Sequence, residues 1–146
     1  MIGAQSAARP PRILFVCQFG SVKSAISREL LKRRAAQRHI PLIVVSRGIT
    51  PEEHLSPAIK SRLLLEHIDP AAEPLRKLRQ ADLDAADRVI IFDKLPARLR
   101  AEALEDWTDL PSILNNYPKA RADLDRRIDA VLASLVRRKA AGSRSP

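Results

Sequence analysis

The sequence predicts an α/β protein, a four-stranded parallel sheet with helices on both faces. Three observations carry this expectation. Continuous apolar runs of β-formers recur at 12–17, 41–46 and 88–93, the mark of strands buried on both faces. Stretches of helical period separate them, and such alternation favours a parallel sheet with right-handed crossovers. Neither an internal repeat nor a second composition breaks the pattern, and 146 residues is the usual size of one domain.

The elements follow in order. Residues 1–11 are small, polar and proline-bearing, and read as a flexible lead. Arg12–Cys17 (RILFVC) is the first strand. From Ser24, the residues Ile26, Leu30, Leu31 and Ala35 fall on one helical face, with Arg28, Lys32, Arg33 and Arg38 on others. Pro41–Ser46 (PLIVVS) is the second strand, closed by Arg47-Gly48. A loop holding Pro51 and Pro57 leads to a helix over Ala58–His67, and a short helix is expected over Glu73–Arg79. Arg88–Asp93 (RVIIFD) is the third strand. Pro96 at a helix start announces a helix over Ala97–Ala103, and Leu104–Trp107 a short fourth strand. A final long helix carries the stripe Leu124, Ile128, Val131, Leu132, Leu135 and Val136. The domain is expected over 12–139, with 140–146 a flexible basic tail.

Composition narrows the function. Apolar residues make up 45% and charged residues 29%, ordinary for a globular chain. No apolar run reaches the ~20 residues that span a bilayer, and the N-terminus lacks the apolar core of a secretory signal. The single cysteine forms no internal disulfide, which fits a reducing cytoplasm. The excess of 26 basic over 17 acidic residues, +9 overall, raises nucleic acid as a partner. With aromatics at 3% and no basic–aromatic interleaving, a solvated basic surface is the better reading. Cys17, His39, His54 and His67 show no metal-ligand spacing, so neither metal nor cofactor is expected.

The stretch that carries chemistry is CQFGSVKS, Cys17 to Ser24. A helix N-terminus presents unpaired N–H groups and a partial positive charge. A loop curled over it forms a ring of amides able to cradle a tetrahedral anion. Gly20 allows the unusual dihedrals of such a curl. Ser24 is placed either to cap the helix or to bond the sulfur, and Lys23 adds a full cation. The same field favours a thiolate at Cys17. Nucleophile, anion cradle and cation thus share one loop, and strand ends are where such sheets bind ligands. The bland alternative is a buried strand-end cysteine beside a serine cap.

This loop resembles that of the low-molecular-weight protein tyrosine phosphatases and the arsenate reductases that share their fold, whose signature reads roughly V-C-x-G-N-x-C-R-S. Here VCQFGSVKS matches at Cys17 and Ser24, with Lys23 where the arginine belongs. VVSRG, AADRVIIFD and WTDLP resemble further stretches of the family across most of 12–136. The resemblance implies a phosphate-binding loop, Gln18, Phe19, Gly20, Ser21, Val22, Lys23 and Ser24, between the first strand and first helix. It also implies a two-step phosphoryl transfer. Cys17 attacks phosphorus, the loop amides and Lys23 hold the equatorial oxygens, Ser24 bonds the sulfur, and Asp109 protonates the leaving oxygen, with Asp106 as the alternative acid. The implied partners are a phosphorylated protein or small phosphate ester, and inorganic phosphate or a similar oxyanion.

Several positions depart from the pattern. Gly20 replaces the asparagine whose bonds brace the family's loop, and Val22 replaces its second cysteine. Ser112 and Ile113 stand where paired tyrosines often clasp an aromatic substrate. Lysine is a compact point charge where arginine is a planar fork. Phe19 and His54 are further candidates for the pocket mouth. The reading is a phosphatase of low or specialised activity on phosphate monoesters, phosphotyrosine among them. Beside it stand an oxyanion- or phosphopeptide-binding module without turnover, and an arsenate reductase resolved by an external thiol.

Overall fold

A computed structural model describes the backbone over 9–143 and side chains as far as 138. The lead at 1–8 and the end of the tail at 144–146 lie outside the described residues. The sheet has four parallel strands: β1 (Arg12–Cys17), β2 (Ile43–Gly48), β3 (Arg88–Ile91) and β4 (Leu104–Asp106). Their spatial order is β2-β1-β3-β4. The helices are α1 (Lys23–Gln37), α2 (Pro57–Leu65), α3 (Gln80–Ala85) and α4 (Tyr117–Ser143). No helix among the described residues is long and apolar enough to cross a membrane.

Alternation along β1 explains the two layers. Ile13, Phe15 and Cys17 point into a core built with Ile26, Leu30 and Leu31 of α1, Ile59 and Leu63 of α2, and Leu124, Ile128, Val131 and Leu132 of α4. Leu14 and Val16 point the other way, to Leu78, to Leu83 of α3, and to Val89 and Ile91 of β3. Both faces of β1 are buried, which is why the strand reads as an unbroken apolar run. Phe15, Phe92 and Trp107 cluster with ring centroids 5.7–6.1 Å apart.

Several expectations shift: β2 begins at Ile43 and not at 41, β3 ends at Ile91 and not at 93, and α2 runs Pro57–Leu65 instead of 58–67. β2 runs through Arg47 and Gly48 instead of stopping at Ser46. α4 continues to Ser143, beyond the 139 boundary expected for the domain. No helix forms over 73–79: Lys77 bridges to Gly48 and Leu78 enters the second core. The helix begins instead at Gln80, after the Arg79 N–H donates to Asp82 Oδ2 at 2.8 Å. Nor does 97–103 form a helix beyond a turn in which the Leu99 N–H donates to the Pro96 carbonyl. The Gln80 side chain takes both backbone groups of Arg100, accepting from its N–H at 3.0 Å and donating to its carbonyl at 2.7 Å. A backbone so engaged is unavailable for a helical ladder.

Candidate active site

Cys17 ends β1, and the chain curls from there into α1, whose first residue is Lys23. The Ser24 hydroxyl does not cap the helix. It lies 2.9 Å from Cys17 Sγ, in a buried contact, so of the two roles open to it the structure takes the sulfur bond. Gly20 adopts φ +75°, the left-handed region that glycine enters without a Cβ penalty. That turn lets its N–H donate to Cys17 Sγ at 3.2 Å. The thiol thus sits inside the loop with two polar partners.

The loop is braced from β2 and the segment after it, although the family's asparagine is missing. Ile49, Thr50 and Glu52 donate N–H groups to the carbonyls of Cys17, Gln18 and Phe19 at 3.1, 2.8 and 3.1 Å. The His54 N–H donates to Ser21 Oγ at 3.0 Å. Contact is so close that a Cβ on Gly48 would lie 2.7 Å from the Phe19 carbonyl carbon and oxygen. With carbonyls turned outward, the N–H groups of Phe19, Ser21, Val22, Lys23 and Ser24 donate to no acceptor among the described residues. The Gln18 amide differs, donating to Asp93 Oδ2 at 2.7 Å.

A cavity of about 230 Å³ opens over this loop. Cys17, Gln18, Phe19, Val22, Lys23, His54, Asp93, Ser112, Ile113 and Leu114 line it. Phe19 and His54 are among these lining residues, their rings stacked at 3.8 Å. Ser112, Ile113 and Leu114 form a wall without the paired tyrosines. The Lys23 side chain reaches across, its Nζ donating to the Leu110 carbonyl at 3.0 Å. The ammonium therefore ties the loop to the segment that follows β4.

Asp109 and Asp106 lie elsewhere; neither lines the cavity. Asp109 is 75% exposed and accepts from Arg127 Nη1 at 2.9 Å, and that bond holds its carboxyl below the ordinary aspartate value. Asp106 accepts from the Thr108 N–H at 2.8 Å, and its bonds to Thr108 also lower it. The carboxylate that does line the cavity is Asp93, which sequence reasoning passed over. It follows β3 as the last letter of RVIIFD, and only the adjacency of β3 to β1 reveals it.

The family model for low molecular weight phosphotyrosine protein phosphatases matches residues 12–130. The chain belongs to that family. No curated protein gives a match, whereas solved structures do. YfkJ from Bacillus subtilis superposes with a TM-score of 0.74 at 17% identity, over 91% of this chain and 99% of that one. The low molecular weight protein tyrosine phosphatase from T. tengcongensis gives 0.72 at 19% identity, over 85% and 99%. A thioredoxin-dependent arsenate reductase from Corynebacterium glutamicum gives 0.71 at 21% identity, over 90% of this chain and 65% of that one. At such identities the superpositions speak for the fold, and the loop chemistry has to be argued from this chain's own residues.

Proposed function

We propose that this family member is a cysteine-dependent phosphatase that hydrolyses phosphate monoesters through a thiophosphate on Cys17. One observation carries the reading: five backbone amides between Phe19 and Ser24 stay free around a buried cysteine at a helix N-terminus. Such a ring is suited to the equatorial oxygens of a phosphoryl group, where transition-state charge gathers. The Cys17 sulfur bonds phosphorus as the ester oxygen leaves, and water then displaces the sulfur. Ser24 Oγ, 2.9 Å from Sγ, stabilises the thiolate that departs in the second step. Lys23 contributes charge at the cavity wall, although one of its three donors is already held by Leu110. The wall of Ser112, Ile113 and Leu114 offers no aromatic clasp, so the substrate is taken to be a phosphate ester rather than phosphotyrosine alone.

Purified protein should hydrolyse a small aryl phosphate, with inorganic phosphate or vanadate competing. Cys17→Ser should abolish turnover while leaving anion binding in place. Equal rates for the two proteins would contradict the reading. The location of Asp109 outside the cavity favours one alternative, an oxyanion-binding module. Tight phosphate binding with no Cys17-dependent turnover would establish that one.

A further inference from the structure

β1 and β3 are neighbours at the switch point of the sheet, where the strand order reverses. Open α/β sheets bind ligands in the crevice outside that point, so two loops flank it. β1 delivers Cys17 there, and β3 delivers Asp93. The register pairs Val16 with Ile91, and the Phe92 N–H continues it by donating to the Val16 carbonyl at 2.8 Å. One residue on, the Gln18 N–H donates to Asp93 Oδ2 at 2.7 Å. Asp93 Oδ1 accepts no hydrogen bond among the described residues, and Asp93 lines the same cavity as Cys17.

We infer that Asp93 is the proton carrier of this active site. The inference rests on the phosphatase reading above and gives that reading its missing acid. In the first step the Cys17 sulfur forms its bond to phosphorus as the ester P–O bond breaks, and the departing oxygen takes the proton from the Asp93 carboxyl. In the second, water forms a bond to phosphorus as the P–S bond breaks. Its proton returns to Asp93, the thiolate re-forms, and phosphate leaves. Atoms and charge balance with water as the only co-reactant.

The other candidates are worse placed. Asp109 is bound to Arg127 outside the cavity, and the cation opposes the protonated form an acid needs. Asp106 is bound to Thr108 and exposed. Besides Asp93, the titratable groups sharing the cavity are Cys17, Lys23 and His54. His54 lies with its ring face on Phe19, and its Nε2 is 3.6 Å from Glu52 Oε1, so its ring is already engaged by both.

A general acid and a loop brace respond differently to amide substitution, because asparagine still accepts from the Gln18 N–H but carries no proton. Hydrolysis of aryl phosphates with progressively poorer leaving groups should be compared for wild type, Asp93→Asn, Asp93→Ala, Asp109→Asn and His54→Gln, with inorganic phosphate inhibition measured alongside. Asp93→Asn is expected to lose about 10²–10⁴-fold on the poorest leaving group and much less on the best, while still binding phosphate. Asp109→Asn and His54→Gln are expected to keep the wild-type leaving-group dependence. If Asp93→Asn matches wild type while Asp93→Ala fails, or if Asp93→Asn loses phosphate binding together with turnover, Asp93 is only a brace and the inference is overturned. Steeper dependence in Asp109→Asn or His54→Gln instead would move the carrier there. Wild type without Cys17-dependent turnover would remove the phosphatase reading itself, and the carrier with it.

Discussion

Lys23 stands where the signature that its loop resembles has arginine, and its geometry bears on what that exchange does. An arginine fork grips two oxygens at once, whereas an ammonium carries three donors on a single point. Here one of them holds the Leu110 carbonyl at 3.0 Å, so the cation serves the anion loop and the segment after β4 together. Lys23→Met should weaken phosphate binding by roughly tenfold, ~1.4 kcal/mol, and should loosen that segment. The chain's one tryptophan, Trp107, lies at the segment's start, where its carbonyl accepts from the Leu110 N–H. Phosphate should therefore change Trp107 fluorescence in wild type and much less in Lys23→Met; an identical response would show that Lys23 does not couple the two.

Asp109 offers a pH test at the same scale. Arg127 lowers its folded-state pKa, so its stabilising contribution is present above the ordinary aspartate pKa of about 3.9. The contribution is lost as pH falls through the lower folded value. Asp109→Asn should therefore melt slightly below wild type at pH 7, and the two should converge in strong acid. A constant offset at every pH would mean that the Arg127 pairing is not its source. The aspartate–proline resemblance in WTDLP drew attention to Asp109, but it could not reveal Arg127, which is 18 residues away along the chain.

Among the elements, those with a local signature were legible in the sequence. β1 and β3 are continuous apolar runs, α4 is a regular stripe, and the turn at Gly20 is announced by its residue type. What was not legible depends on partners distant in sequence. The 97–103 stretch has helical composition, but Gln80 binds the backbone of Arg100. The bracing of the anion loop by 49–54 was likewise hidden, because it uses backbone groups that carry no residue signature. Asp93 needed the strand order. Gly48 looked like a strand terminator, yet it is where β2 meets the loop at van der Waals limits. Gly48→Ala should force the Phe19–Gly20 peptide to move, because the clash is with backbone that cannot rotate away. The expected result is loss of phosphate binding and of turnover, with secondary structure by circular dichroism retained. Normal phosphate affinity in a folded Gly48→Ala protein would show that the loop tolerates displacement.

Taken whole, the molecule is tied together by a buried charge. Arg28 on α1 is 1% exposed. It donates to Ser46 Oγ of β2 at 2.7 Å, to the Pro70 carbonyl at 2.9 Å and to Glu29 Oε2 at 2.7 Å, with Glu73 at 3.5 Å. Helix, sheet and the 70–73 segment thus meet on one guanidinium. The sequence showed Arg28 only as a residue off the apolar face of its helix. Removing one partner of a buried ionic network typically costs about 3–5 kcal/mol, and Arg28→Ala should lower denaturant stability by that order. A loss under about 1 kcal/mol, the surface-pair range, would contradict the burial. The central claim, that Cys17 becomes the phosphoryl carrier, is tested most directly by acid-quenching the protein during turnover of an aryl phosphate and mapping the phosphorylated residue by mass spectrometry. The predicted result is a transient phosphate adduct on Cys17, absent in Cys17→Ala and longer-lived in Ser24→Ala. Turnover that proceeds with Cys17 unmodified at every time point would contradict it.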